Sequence, residues 1–328
     1  MMKITYLQLV IAILLATFSH PTTSADPDPG TLMGTMLQPG AAEEGIVYDP
    51  ASGNYTVTYK VPDGLYQVVY YPRTKIAPTV ETTYGPWGYG RDHVYSYRVT
   101  NGAKAQQPLT NIRVLVNKVY GSVKPPGWNG DIAPGFKNPN PTQNSDVYMA
   151  GWYSFKGIAP GDTVAGFGFE SRDLPGVGTI EILGLGPITV YAEGGPGGAV
   201  RKELNKLSRN DFVPYLAPVP LIYNFIGSYF TTNGAAGTLT SLQDHFQQLL
   251  NMELIEPVFA ERLTKTLSAA IDALKLSDRQ SARSHLEDFR VMIDEAQHAE
   301  SKATLEAPIN KVAARVLRYD GNYVERKL

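Results

Sequence analysis

The sequence predicts a mainly-β protein with an α-helical end: an antiparallel, immunoglobulin-like β-sandwich followed by a small four-helix module. Three observations carry this expectation. Asp, Glu, Lys and Arg number 34 over residues 1–240 and 26 over residues 241–328, so charge density roughly doubles near residue 240. The hydrophobic period changes at the same place, from two to about 3.6. Seventeen of the twenty tyrosines lie between Tyr48 and Tyr229, a bias that suits a half-buried pleated surface.

Residues 1–25 read as a secretory signal peptide. Lys3 supplies the positive charge, Leu9 to Ala16 is an apolar core too short to span a bilayer, and Thr23-Ser24-Ala25 offers small residues for cleavage. This predicts a secreted protein, extracellular or periplasmic, with no transmembrane segment in the mature chain. Residues 26–44 are expected to form a flexible segment. The chain has no cysteine, hence no disulfide and no thiol nucleophile, so its stability must come from its core. A net charge of −2 gives no electrostatic reason to expect nucleic acid or anionic lipid as a partner.

The sandwich is expected over residues 45–195. Tyr55, Val57, Tyr59 and Val61 alternate with Thr56, Thr58 and Lys60, and Pro62-Asp63-Gly64 turns the chain into a return strand from Leu65 to Tyr71, which makes a hairpin. His93 to Thr100 alternates again, and Leu109 to Val116 is apolar enough for a central strand. Gly151 to Phe155 and Thr163 to Glu170 flank the turn at Ala159–Asp162. Gly178 to Leu183 and Ile188 to Ala192 complete about eight strands. Two Gly/Pro-rich insertions, Tyr84 to Arg91 and Pro125 to Asn144, break the rhythm. Gly194 to Gly198 marks the end of the sandwich. Residues 196–239 read as a Pro- and aromatic-rich linker whose stretch Pro214 to Phe230 packs across the junction.

The helical module is expected over 240–322, with a tail at 323–328. Thr240 caps a first helix carrying Leu242, Phe246, Leu249 and Leu250. Pro257 starts a second with Phe259, Leu263, Leu267, Ala270, Ile271 and Leu274. Ser277 caps a third with Ala282, Leu286, Phe289, Ile293 and Ala296. Pro308 starts a fourth with Ile309, Val312, Ala313, Val316 and Leu317, and Asp320-Gly321 stops it. Leu263-Thr-Lys-Thr-Leu267-Ser-Ala-Ala270 and Leu286-Glu-Asp-Phe289-Arg-Val-Met-Ile293 make this segment resemble the FIMAH-type helical module of secreted bacterial proteins. Where that family usually carries a Gly-Lys pair after the third helix, Gln297-His298-Ala299-Glu300 stands here. The resemblance implies a non-catalytic accessory module and transfers no active-site residue.

Catalytic motifs are absent from the sequence. There is no His-Glu-x-x-His, no Gly-x-Ser-x-Gly elbow, no phosphate-binding glycine loop and no dinucleotide fingerprint, and no cofactor is expected. His93, His245, His285 and His298 are expected in solvated surface roles rather than as metal ligands. Asp131, Asp146 and Asp162 lack calcium-loop spacing. Asn54-Tyr-Thr56 fits a glycosylation sequon, but its place at the start of a strand argues against use. Trp152 alternates inside a strand as a core residue. Glu170, Asp173 and Glu181 are the carboxylates that a hydrolase would need to pair. The aromatic loops stand out instead: Trp87, Tyr89 and Trp128 sit among small residues, where an exposed ring can stack on a sugar face or else cap the open end of the core. The sequence therefore predicts a secreted non-catalytic binding or surface-associated protein, its partner an extracellular glycan or a cell-surface protein. The alternative is an extracellular carbohydrate-active hydrolase using Asp or Glu.

Overall fold

A computed structural model of the chain describes residues 30–87, 92–116, 119–134, 148–171, 175–220, 234–300, 307–326 and 328. The signal segment over residues 1–25, Tyr89, Asp173 and residues 135–147 lie outside them. The described part is mainly β with a helical end, and the front is two β units rather than one.

The first unit is built on the predicted hairpin. Strands β4 (Asn54–Val61) and β5 (Gly64–Tyr70) pair antiparallel, flanked by β3 (Gly45–Asp49) on β4 and β2 (Thr35–Leu37) on β5. The segment expected to be flexible, 26–44, thus supplies β1 (Thr31–Met33) and β2. β1 runs parallel to the distant β14 (Ile188–Val190), and the Gly34 N–H donates to the Val190 carbonyl at 3.0 Å. Helix α1 (Gly198–Arg209) covers the unit. Val57, Tyr59, Val61 and Val68 meet Val200 and Leu204 of α1 in a small core.

The second unit is the sandwich. Its strands are β6 (Pro78–Trp87), β7 (Asp92–Asn101), β8 (Leu109–Val116), β9 (Val119–Val123), β10 (Asn129–Pro134), β11 (Tyr148–Ile158), β12 (Thr163–Ser171), β13 (Pro175–Gly184) and β15 (Val213–Pro220). They form a four-stranded sheet, β6-β7-β12-β9, and a five-stranded sheet, β10-β11-β8-β13-β15. Without the β10–β11 hairpin, the strand order is that of a constant-type immunoglobulin domain. The hairpin enters between the fourth and fifth strands of that plan and extends the second sheet beyond β8. Tyr95, Tyr97, Phe167 and Phe169 from one sheet meet Ile112, Val114, Trp152, Ile180 and Ile182 from the other.

The expected linker, 196–239, is corrected. It contains α1, the sandwich edge strand β15 and the start of the first helix of the back module. Prolines normally disqualify a strand, but Pro214, Pro218 and Pro220 share one parity. Their missing N–H groups therefore point away from β13, as an edge strand permits.

The back module has helices α2 (Gly234–Asn251), α3 (Pro257–Lys275), α4 (Arg279–Glu300) and α5 (Lys311–Glu325). The predicted stripes form one core that includes Leu242, Phe246, Leu263, Leu267, Leu286, Phe289, Ile293, Ala313 and Leu317. Four boundaries differ from expectation. α2 starts at Gly234, before Thr240. Ser277 is not a cap: at φ 62° it is the left-handed stop of α3, with Asp278 N–H on Ala273 O and Ser277 N–H on Leu274 O. Asp278 caps α4 instead, accepting from Ser281 N at 3.0 Å. α5 begins after Asn310, which accepts from Val312 N at 2.9 Å, and runs straight through Asp320-Gly321 into the expected tail. Gly321 sits where α5 crosses α4, since an added Cβ would lie 3.1 Å from Arg290 Cγ. Asp320 turns inward to His245 of α2, 2.7 Å from its Nδ1.

α5 also closes one end of the sandwich. Arg315 donates to the Thr82 carbonyl at 2.6 Å, and Tyr319 packs edge-on against Tyr84 at 5.0 Å. His93 lies between Tyr319 at 5.8 Å and Tyr323 at 6.0 Å. His93 and His245 are thus interior residues, only 1% and 3% exposed, against the expectation of surface roles.

The left-handed conformation at Ser277 is unfavourable for any residue with a Cβ. Ser277→Gly is expected to raise the urea midpoint, and Ser277→Val to cost about 1–2 kcal/mol.

Candidate functional site

Three stretches of sequence converge beside α1. The end of β5 delivers Tyr70, followed by Tyr71 and Arg73. The turn before β14 delivers Leu185 to Ile188, with Thr189 and Tyr191 beyond it. α1 contributes Arg201, Leu204, Asn205 and Ser208 along one flank, and Asp211 follows it. Together they line a cleft of about 580 Å³, a size that accommodates small ligands. The wall is tight, because a Cβ on Gly186 would lie 2.5 Å from Tyr71 Cδ1.

Asp211 organises this cleft. It is 5% exposed and accepts from the Tyr70 hydroxyl at 2.6 Å, the Arg73 N–H at 2.7 Å and Arg73 Nε at 3.4 Å. Burial, and then this hydrogen bond to Asp211, hold the Tyr70 hydroxyl protonated well above the ordinary 10.0. Burial likewise raises Tyr71 and Tyr191, the latter with a further push from Tyr59. Tyr191 stands edge-on to Tyr59 at 5.6 Å, and the Tyr59 hydroxyl accepts from Ala192 N at 2.7 Å. α1 has no side-chain cap and no acidic residue in its first turn, so its dipole adds positive potential at that end.

The residues singled out in the sequence lie elsewhere. Trp87 ends β6 opposite Asp92, and Tyr89 is outside the described residues. Trp128 is corrected: it is 6% exposed and packs edge-on against Phe167 at 4.8 Å, so it is a core side chain and not an exposed platform. The physical reason is strand parity. Trp128 leads into β10 on the inward side, one residue before Asn129 pairs with Tyr153. Trp152 is core as expected, its Nε1–H on the Val123 carbonyl at 3.0 Å.

Glu170 and Glu181 do not pair; Asp173 lies outside the described residues. Glu170 lies on β12 and Glu181 on β13, both at positions alternating with buried residues, so they point outward from opposite sheets. The His245–Asp320 pair has geometry for proton transfer, but its side chains are 2% and 1% exposed, which denies a substrate access. Asn54 Oδ1 accepts from Lys75 Nζ at 2.6 Å at the start of β4. Among the described residues no group of three or more His, Asp or Glu comes together around a metal position. A larger hollow of about 880 Å³ lies between Leu250–Pro257 and Ala307–Val312, but it has no aromatic lining.

Asp211→Ala removes the acceptor of three donors and is expected to cost about 2–3 kcal/mol in urea unfolding. Tyr70→Phe is expected to be less stable than wild type below pH 10.0. The gap closes as pH rises further, because the unfolded tyrosine ionises first and the folded hydroxyl holds its proton longer. Paired melts at pH 8 and pH 11 read this directly.

No protein-family model and no curated protein matches the chain, so what the cleft binds has to follow from its own side chains.

Proposed function

We propose that this is a non-catalytic binding protein, secreted by its N-terminal segment, that holds a saccharide in the cleft beside α1. One observation carries the reading: half-exposed Tyr70, Tyr71 and Tyr191 share a cleft with the amide of Asn205 and the hydroxyls of Thr189 and Ser208. Aromatic faces suit the apolar face of a pyranose ring, while amides and hydroxyls suit its rim. Asp211 is the one carboxylate lining the cleft and already accepts three hydrogen bonds, whereas glycoside hydrolysis ordinarily uses two carboxylates across the scissile bond. The secretory reading draws support from Lys3, the Leu9–Ala16 apolar run and the small residues Thr23-Ser24-Ala25. Among the described residues no helix is long and apolar enough to cross a membrane. The helical module serves as an accessory in this reading, consistent with its FIMAH-like motifs.

Binding to a panel of soluble polysaccharides tests this. Tyr71→Ala, which removes a ring, and Asn205→Trp, which fills the cleft from an exposed helix position, are each expected to weaken binding about tenfold or more. If both bind like wild type while Trp87→Ala does not, the site lies at the β6–β7 turn and the cleft assignment fails.

A further inference from the structure

We infer that the saccharide taken by this cleft is acidic, a uronic-acid chain whose carboxylate sits on Arg201; this rests on the saccharide reading above. The charges in the cleft are Arg73, Arg201 and Asp211. Arg73 and Asp211 form an ion pair at 3.4 Å, with the Asp211 side chain 4% exposed, and they cancel each other. Arg201 makes no ion pair among the described residues, so the cleft carries one uncompensated positive charge on a chain whose net charge is −2. That local excess, against the overall sign, selects an anion.

Helix geometry makes this charge part of a row. Arg201, Asn205 and Ser208 stand at i, i+4 and i+7 on α1, and all three line the cleft. A guanidinium, an amide and a hydroxyl are thus presented along about 10 Å of helix. The rings of Tyr71, Tyr191 and Pro187 line the same cleft. The cleft thus combines a helix-borne row of donors, including one cation, with aromatic and proline rings. A pyranose chain carrying one carboxylate per ring matches both features: its ring faces suit the tyrosines, and a carboxylate takes the two-pronged hydrogen bonds that a guanidinium offers. A heavily sulfated chain calls instead for a cluster of cations, and among the described residues this cleft has a single one outside an ion pair.

The test uses the full chain and calorimetric titration with oligomers of galacturonic, glucuronic and mannuronic acid, their carboxyl-reduced neutral counterparts, and a sulfated oligosaccharide. The expected result is at least tenfold tighter binding of one uronic-acid oligomer than of its neutral counterpart. The preference is expected to shrink with added salt and to disappear in Arg201→Gln. Arg201→Lys keeps the charge but loses the planar fork, and it is expected to recover only part of the preference. Equal binding of acidic and neutral forms, unchanged in Arg201→Gln, overturns the acidic ligand and leaves the saccharide reading standing. Binding of the sulfated probe alone also overturns it. Binding of none of the probes overturns both. Arg201 is an exposed helix residue, and a melting curve for each variant separates lost binding from lost fold.

Discussion

The three hydrogen bonds on Asp211 hold the front of this molecule together. The carboxylate is buried and lies between α1 and β15 in the chain, and its partners are Tyr70, the last residue of β5 in the smaller sheet, and Arg73 in the turn that follows. On one side of it the chain has just packed α1 against Val57 and Tyr59. On the other it leaves to become the edge strand of the sandwich. One side chain therefore ties the end of β5 to the segment between α1 and β15, and it lines the cleft beside α1. A hydrogen bond to a charged group contributes about 1.5–3 kcal/mol. Lys275–Asp272, with its side chains 70% and 69% exposed, is the opposite case, since exposed pairs contribute about 0–1 kcal/mol.

A second junction ties the back module to the front. α5 carries Arg315, Tyr319 and Tyr323 on its sandwich-facing side and buries Asp320 against His245 on the other. The helix is thus apolar or aromatic over most of its circumference, which is why Asp320-Gly321 does not end it. The change in composition near residue 240 marks a change of architecture, but the two architectures meet in a packed aromatic interface.

Where a segment serves one role, its sequence showed it. The alternation of β4, β7 and β8 and the apolar stripe of α3 placed those elements within a residue or two, and the stripe of α4 placed that helix with its end four residues short. Segments with two roles were obscured. β15 carries three prolines because it is an edge strand, and proline is also what a linker would show. α1 follows four glycines and buries only Val200 and Leu204, too short a stripe to stand out. Trp128 looked exposed because its neighbours are small, yet parity sends it inward. The cleft was illegible for a different reason. Tyr70, Tyr191 and Asp211 each look like ordinary strand or turn residues, and only the topology that brings β14 back beside β5 makes them neighbours.

That topology also sets the order in which the protein can assemble. Tyr59 bonds Ala192 across 133 residues, and Tyr70 bonds Asp211 across 141. The smaller sheet is made early in the chain, yet its covering helix, its β1–β14 pairing and its anchoring carboxylate arrive only after the sandwich strands have been laid down between them. The sandwich in turn lacks an edge until β15. Both units are finished by the stretch from Ile188 to Pro220. Their contacts are therefore strongly non-local, which makes for slow folding, and the first two hundred residues alone would leave two sheets with open faces.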